Sequence, residues 1–242
     1  MSADGTAAPG ETLAPTVRPV GGVESPMTDI SREDSAGFVA PSPASAAESR
    51  LKRAFDIIVA SAVLVFILPL MLAAAAAIVV DSRGPVFFVQ RRTGLNGLPI
   101  RVFKFRSMSV MEDGAAIKHA GKGDSRITRV GAFLRRSSID ELPQLMNVIR
   151  GEMSLVGPRP HALAHDQYYG ALVPAYVHRF RARPGITGLA QISGFRGEIH
   201  SLDGMVGRVD ADNTYIDQWS LWLDIKILVK TVLVAPFQDS AY

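Results

Sequence analysis

Hydrophobic positions are distributed very unevenly along this 242-residue chain. From Ile57 to Val80 there is no charged side chain and a single hydroxyl, Ser61. That run is long enough to cross a bilayer, which takes roughly twenty apolar residues, yet Pro69 stands in its middle. Beyond it, "PVFFVQRRTGLNGLPIRVFKFRSM" places β-branched and aromatic residues on either side of a Gly/Asn turn and predicts a β-hairpin. "SVMEDGAAIKHAGKGDSRITRVG" reads as a mobile loop, "AFLRRSSIDELPQLMNVIRG" as helix, and "EMSLVGPRP" as a short strand entering a loop. "HALAHDQYYGALVPAYVHRFRAR" predicts a helix broken around Pro174, followed by the Gly-rich "PGITGLAQISGFRGE". The last apolar-periodic stretch, "TYIDQWSLWLDIKILVKTVLVAPF", predicts one more helix. The first fifty residues show neither period, and no internal repeat is present.

The apolar run permits two topologies. Cytoplasmic flanks of a transmembrane helix are enriched in Lys and Arg, and here both flanks are basic: Lys52 and Arg53 before the run, Arg83, Arg91 and Arg92 after it. A helix that enters the bilayer, bends and returns leaves both flanks on one side. Pro69 supplies a cause for bending, because it has no amide donor and its ring crowds the carbonyl of Val65. A Pro-kinked spanning helix is the other reading. In the C-terminal stretch Trp219, Trp222, Leu223 and Ile227 form an apolar surface, with Asp224, Lys226 and Lys230 expected to keep polar contacts. That pattern suits a helix lying in the headgroup region, or an ordinary core-packed amphipathic helix.

Composition sharpens the division. The first fifty residues carry seven acids and three arginines, a balance of −4, so with a total of +3 the remainder carries +7. This Ala/Pro/Ser-rich opening predicts a disordered tail, and with no basic leader it is not expected to be a secretory signal peptide. Cysteine is absent, which removes disulfides and thiolate metal sites. A nucleic-acid role has little support, since the aromatics form no stacking series. The expected organisation is a tail over 1–50, a re-entrant membrane helix over 51–85, a cytosolic catalytic domain with interfacial helices over 86–237, and a short tail over 238–242. The fold class is α+β.

Candidate chemistry concentrates in "RRSSIDELPQLMNVIRG". If Asp140 caps the helix, Pro143 falls in its first turn, where a missing amide proton costs nothing, and Leu142, Leu145, Met146 and Ile149 share one face. The helix dipole then favours ionised carboxylates at Asp140 and Glu141. Two acids beside Arg135 and Arg136 suit phosphoryl transfer, in which a carboxylate attacks phosphorus and cations hold the oxygens; a capping acid with a solvated neighbour is the plainer alternative. Arg159 stands between two prolines, Arg181 and Arg183 precede a Gly-containing loop, and Lys104 and Arg106 fall on one side of a predicted strand. Each suits a phosphate ligand or a surface charge. His161 and His165 have the spacing of a helical metal pair but lack the glutamate that follows the first histidine in zinc proteases, so a helix surface is the simpler reading.

Taken together, "KRAFDIIVASAVLVFILPL", "GPVFFVQRRTGLNGLPIRVFKFRSM", "SSIDELPQLMNVIRGEMSLVGPRP" and "RPGITGLAQISG" resemble the bacterial sugar transferases, the monotopic phosphoglycosyl transferases that begin glycan assembly on polyprenyl phosphate. The resemblance covers about Leu51 to Phe237. It implies transfer of a hexose 1-phosphate from a UDP-sugar to undecaprenyl phosphate with release of UMP, at the cytosolic face of the bacterial inner membrane. It also implies Asp140 as nucleophile and Mg²⁺ ligand, with Glu141 as its partner. Phosphate binding would fall to Arg135, Arg159 and Arg183, and to Lys104 and Arg106. The family's re-entrant helix breaks near a Ser-Pro pair, and here Leu68-Pro69 takes that place. The segment from Gly194 to Thr231 resembles the branch that primes exopolysaccharides from UDP-glucose, with UDP-galactose as the alternative donor; the chain looks like a minimal catalytic form. Expected partners are the two substrates and the membrane, with homo-oligomerisation left open and no nucleic acid. A non-catalytic scaffold of polysaccharide assembly, and a glycosyltransferase releasing UDP, are the competing classes.

Overall fold

The computed structural model describes residues 44–109, 124–195, 197 and 201–234. The tails and most of the segment expected to be a mobile loop lie outside them. The described chain is mixed: helices surround two small two-stranded sheets. Residues 44–50, assigned to the tail on composition, are folded. A one-turn helix α1 (Ser45–Glu48) buries Ala46 and Ala47, and the amide of Ala44 donates to the Arg181 carbonyl at 2.9 Å. Alanine-rich composition looks alike in a tail and in a close-packed turn.

The apolar run forms α2 (Arg50–Asp81), 32 residues long, capped by the Ser49 hydroxyl, which accepts from the Lys52 amide. The expected helix–break–helix is not seen in its secondary structure: Pro69 lies inside one continuous helix. One face is covered, at Ala60, Met71, Ala74 and Ile78, while Val65, Phe66, Leu72 and Val80 are 63–88% exposed. Only 17% of its most apolar 18-residue window is buried. So large an apolar surface needs a partner other than water.

Both ends of α2 are fixed to the same body. At the start, Lys52 donates to Asp224 at 2.7 Å and to the Val156 carbonyl, Arg53 donates to the carbonyls of Val148 and Ile149, and Asp56 accepts from Ser154 and the Leu155 amide. At the finish, Asp81 accepts from the Val130 amide, and Arg106 donates to the carbonyls of Ile78 and Ser82 and to the Ser82 hydroxyl.

The predicted hairpin is present as β1 (Phe87–Thr93) and β2 (Pro99–Phe105), antiparallel with Gln90 opposite Val102 and Phe87 opposite Phe105. Its tight turn places Asn96 and Gly97 at positive φ. After α3 (Arg129–Arg136) come a single 3₁₀ turn (Ile139–Glu141) and α4 (Gln144–Arg150). Asp140 therefore does not cap α4; Pro143 does, and the buried face is Gln144, Leu145, Asn147 and Val148 rather than the face through Met146 and Ile149. Asn147 explains the rotation: its side chain accepts from the Phe103 amide and donates to the Arg101 carbonyl, stitching α4 to β2.

Strand β3 (Ser154–Val156) pairs in parallel with β4 (Gly185–Thr187). Just past β3, Gly157 comes against the backbone of Gly185, where a Cβ on Gly185 would strike the Gly157 backbone. Helix α5 (Leu163–Leu172) ends before Pro174, which opens a 3₁₀ stretch to Arg181, as the sequence predicts. A short α6 (Leu189–Ile192) follows. The C-terminal helix is two helices, α7 (Leu202–Asp217) and α8 (Leu221–Val234), separated at Gln218–Ser220. In α8, Asp224 keeps polar contacts as expected, but it does so in the interior. It is fully buried, held by Lys52, the Tyr215 hydroxyl and the Trp219 indole, and the outward surface is Trp222, Val229, Val232 and Leu233.

Removing one partner of a buried ion pair leaves the other charge without its counter-ion, at a cost of about 3–5 kcal/mol. Asp224→Ala is expected to lower the thermal midpoint by on the order of 10 °C, measured in detergent or nanodiscs, whereas Lys230→Ala on the exposed side of α8 is expected to leave it nearly unchanged. Equal effects of the two would show that the Lys52 pair does not anchor α2.

Candidate active site

Three segments converge on the acid pair. The 3₁₀ turn carries Asp140 and Glu141, and is entered through Ser138 in the left-handed region at φ 57°. Strand β2 brings Lys104, whose Nζ is 2.9 Å from Glu141 Oε1. The loop after β3 brings Arg159, whose Nη2 and Nη1 reach Glu141 Oε1 and Oε2 at 2.7 and 3.2 Å. That loop is held by β4, since the Gly185 amide donates to the Pro158 carbonyl and the Gly157 amide to the Thr187 carbonyl, each at 2.9 Å. Such a two-pronged grip fixes a carboxylate in orientation as well as charge.

The two acids are pushed apart electrically. Burial raises the proton affinity of Glu141, but Arg159 and Lys104 outweigh it and hold Glu141 well below the usual range. Asp140 is pushed up to about 6, by burial first and by the Glu141 charge second, against the pull of Lys104, Arg135 and Arg159. Asp140 is 8% exposed, and among the described residues its carboxylate accepts no hydrogen bond. It is thus the acid whose oxygens are open for bond formation or for a cation.

A divalent metal fits this donor set in one way. Among the described residues no three His, Asp or Glu side chains cluster, and both Glu141 oxygens are engaged. Asp140 would be the protein's ligand, with phosphate oxygens and water completing the shell, as suits Mg²⁺, which is commonly held through one or two carboxylates plus a bound phosphate.

The other expected phosphate ligands divide. Arg135, at the end of α3, stands close enough for its charge to favour ionised Asp140. Arg106 is 4% exposed and donates to the carbonyls at the C-terminal end of α2. Arg183 donates to the carbonyls of Gly151 and Ala47, binding α1 to the end of α4. His161 and His165 do not form a metal pair: His161 precedes α5 and is buried, while His165 packs edge-on against Tyr169.

Behind Arg159 lies a buried polar cluster that residue spacing does not reveal. Tyr176 Oη donates to Asp166 Oδ1 at 2.7 Å and lies 2.6 Å from His161 Nδ1, so with one hydroxyl proton it accepts from the ring N–H. Arg208 Nη1 then donates to His161 Nε2 at 3.0 Å, and the imidazole is neutral. Burial, followed by the charges of Arg179 and Arg208, holds His161 well below its ordinary value. Arg179 pairs with Asp212 at 2.8 Å and donates to the Arg159 carbonyl at 2.7 Å. On α7, Met205, Arg208, Val209, Asp212, Tyr215 and Ile216 keep the helical period, but two charged members of that buried face hide it from a hydrophobicity pattern.

The family model described as bacterial sugar transferase matches residues 47–238. A UDP-glucose:undecaprenyl-phosphate glucose-1-phosphate transferase of Caulobacter vibrioides is 50% identical over 202 residues, covering 84% of this chain and 75% of that protein. One of the same name from Xanthomonas campestris is 53% identical over 188 residues, covering 77% of this chain and 39% of that protein. A UDP-galactose-lipid carrier transferase of Erwinia amylovora is 40% identical over 207 residues, 79% of this chain and 42% of that protein. The chain thus spans less than half the length of the latter two relatives.

With the Asp140 carboxyl titrating at about 6, it is protonated below that pH and ionised above it. Carbon-13 spectra of aspartate-labelled protein are expected to show one carboxyl with a midpoint near 6, moving upward in Lys104→Met, which removes a cation favouring the ionised form. A midpoint that stays put or moves down would contradict this electrostatic picture.

Proposed function

The chain belongs to the bacterial sugar transferase family, and from that premise we propose that it transfers a hexose 1-phosphate, glucose 1-phosphate first, from a UDP-sugar to undecaprenyl phosphate as the first step of exopolysaccharide synthesis. The observation that carries this reading is the asymmetric acid pair: Glu141 locked by Arg159 and Lys104, Asp140 beside it with open oxygens.

In the proposed reaction an Asp140 oxygen attacks the phosphorus that bears the sugar. The bond from that phosphorus to the bridging oxygen breaks, UMP departs with the electron pair, and an aspartyl phosphosugar remains. A phosphate oxygen of undecaprenyl phosphate then attacks the same phosphorus and frees the Asp140 carboxylate. Mg²⁺, when bound at Asp140, supplies charge neutralisation for the diphosphate. Arg159 and Lys104 keep Glu141 ionised and orient it, and Arg135 adds positive charge near the attacked group. The named relatives act on UDP-glucose in two cases and UDP-galactose in one; the greater identity to the glucose group ranks glucose first.

The tethered ends of α2 favour the re-entrant reading. Lys52, Arg53 and Asp56 at one end and Asp81 with Arg106 at the other contact the same folded body. A helix of 32 residues is about 48 Å long, so keeping both ends on one side requires it to lie obliquely or to bend at Pro69. Its exposed Val65 and Phe66 would then form the deepest part, with α8 lying in the headgroup layer at the inner membrane's cytosolic face.

Asp140→Asn is expected to lower UMP release from UDP-glucose by on the order of a thousandfold or more, and peptides containing Asp140 from wild-type protein incubated with donor alone should carry the mass of a phosphohexose. Activity retained by Asp140→Asn would overturn the mechanism, release of UDP would indicate transfer of the sugar without its phosphate, and preferential turnover of UDP-galactose would reassign the donor. For topology, Arg50→Cys and Arg83→Cys, both at exposed positions, should react with an impermeant thiol reagent only from the cytosolic side; periplasmic labelling of either would exclude the re-entrant form.

A further inference from the structure

Arg159 grips Glu141 from a backbone that has few handles of its own. It sits between Pro158 and Pro160, and a residue before proline is confined to extended conformations. Its carbonyl is taken by a side chain from far along the chain, the Nη2 donor of Arg179 at 2.7 Å. Arg179 is 3% exposed and cannot reach a substrate. Its orientation is nevertheless fixed from two sides: Nε is 2.8 Å from Asp212 Oδ2 on α7, and the guanidinium stands 4.9 Å from the Tyr176 ring centroid. His161 is held in turn by Arg208 and Tyr176, and Tyr176 by Asp166, which also accepts from Thr93 at the end of β1. A buried charge pair costs desolvation, and packing alone does not explain a guanidinium whose second edge is aimed at the Arg159 backbone.

We propose that Arg179 is a positioning residue for the reaction: seated on Asp212, it holds the Arg159 carbonyl and so keeps the Arg159 guanidinium in register with Glu141. The fork is what matters, because a guanidinium presents donors on two edges at a fixed angle, while an ammonium opposite Asp212 has no second rigid edge to offer. This inference deepens the proposed sugar-phosphate transfer and rests on it for the kinetic part of its test.

The test uses the full chain in lipid nanodiscs with ¹⁵N-labelled arginine, the Arg159 Nε–H signal being identified by its loss in Arg159→Lys. In Arg179→Lys that signal is expected to move toward its position in Glu141→Gln, where the grip on the carboxylate is weakened. With UDP-glucose and undecaprenyl phosphate, Arg179→Lys is expected to lower kcat about tenfold while KM for UDP-glucose stays within about threefold. In an Arg159→Lys background the same change should cost no more than about a further twofold, since both act through one contact. An Arg159 signal unmoved by Arg179→Lys, or losses that multiply independently, would overturn the inference. If wild-type protein releases no UMP, the reaction is wrong, and the Arg159 signal still decides the role of Arg179. Should Arg179→Lys fail to fold, Asp212→Asn loosens Arg179 from the other side and is expected to shift the Arg159 signal in the same direction.

Discussion

The structure depends on a single constraint: an apolar helix of 32 residues whose two ends are both bound, by polar groups, to one folded body. At its start the Lys52 ammonium is 5% exposed and lies on a carboxylate with no exposure at all. Such a pair gains little net stability over an apolar substitute, but it tolerates only one partner geometry. It therefore fixes which residue of α2 meets α8, and with that the height of the helix relative to the body. At the finish, Arg106 satisfies carbonyls that the helix end would otherwise leave open. Because Arg106 directly follows the strand that delivers Lys104 two residues earlier, the end of the apolar helix and the acid pair share one support.

Opposed environments on adjacent residues are what give the acid pair its division of labour. Glu141 is surrounded by cations that take up both its oxygens; Asp140 is buried beside that negative charge and holds its proton more firmly. Two carboxyl groups in equivalent surroundings would compete for the same cations. Here the backbone separates them, since the left-handed Ser138 and the single 3₁₀ turn present successive side chains in different directions. A regular helix from Asp140 onward, as its spacing suggests, would have given both acids the same dipole and similar solvation.

How much of this was legible in the sequence depended on the distance between partners. The apolar run, the hairpin and the break at Pro174 are local patterns and are read directly. The Asp-Glu pair with Arg159 was visible as residue types, and the structure does bring Arg159 and Lys104 onto Glu141. Arg106 and Arg183 were equally plausible as phosphate ligands, but they are committed to backbone carbonyls, which no residue code announces. That Asp224 would keep polar contacts was legible, but its partner could not be named, because Lys52 is 172 positions away. The Arg179–Asp212 pair was hidden for a related reason: a buried face of α7 that carries charges does not show as a hydrophobic stripe.

Charge around the site also bears on the kind of ligand proposed for it. Lys104, Arg135 and Arg159 face the turn, against Asp140 and Glu141, so one positive charge is left over when both acids are ionised. An incoming diphosphate brings more negative charge than that excess can balance, and its approach to an ionised Asp140 would be opposed. In the proposed reaction a divalent cation on Asp140 would remove the opposition without requiring a cluster of protein ligands. The two proposed substrates differ in how they reach the site. A nucleotide sugar arrives from water with its charge already screened, whereas a lipid phosphate must travel in the plane of the headgroups. In the proposed re-entrant form both ends of α2 stand at the cytosolic face, and with α8 exposing Trp222 and Val232 a site on this body would let both reach one carboxylate without either leaving its own phase.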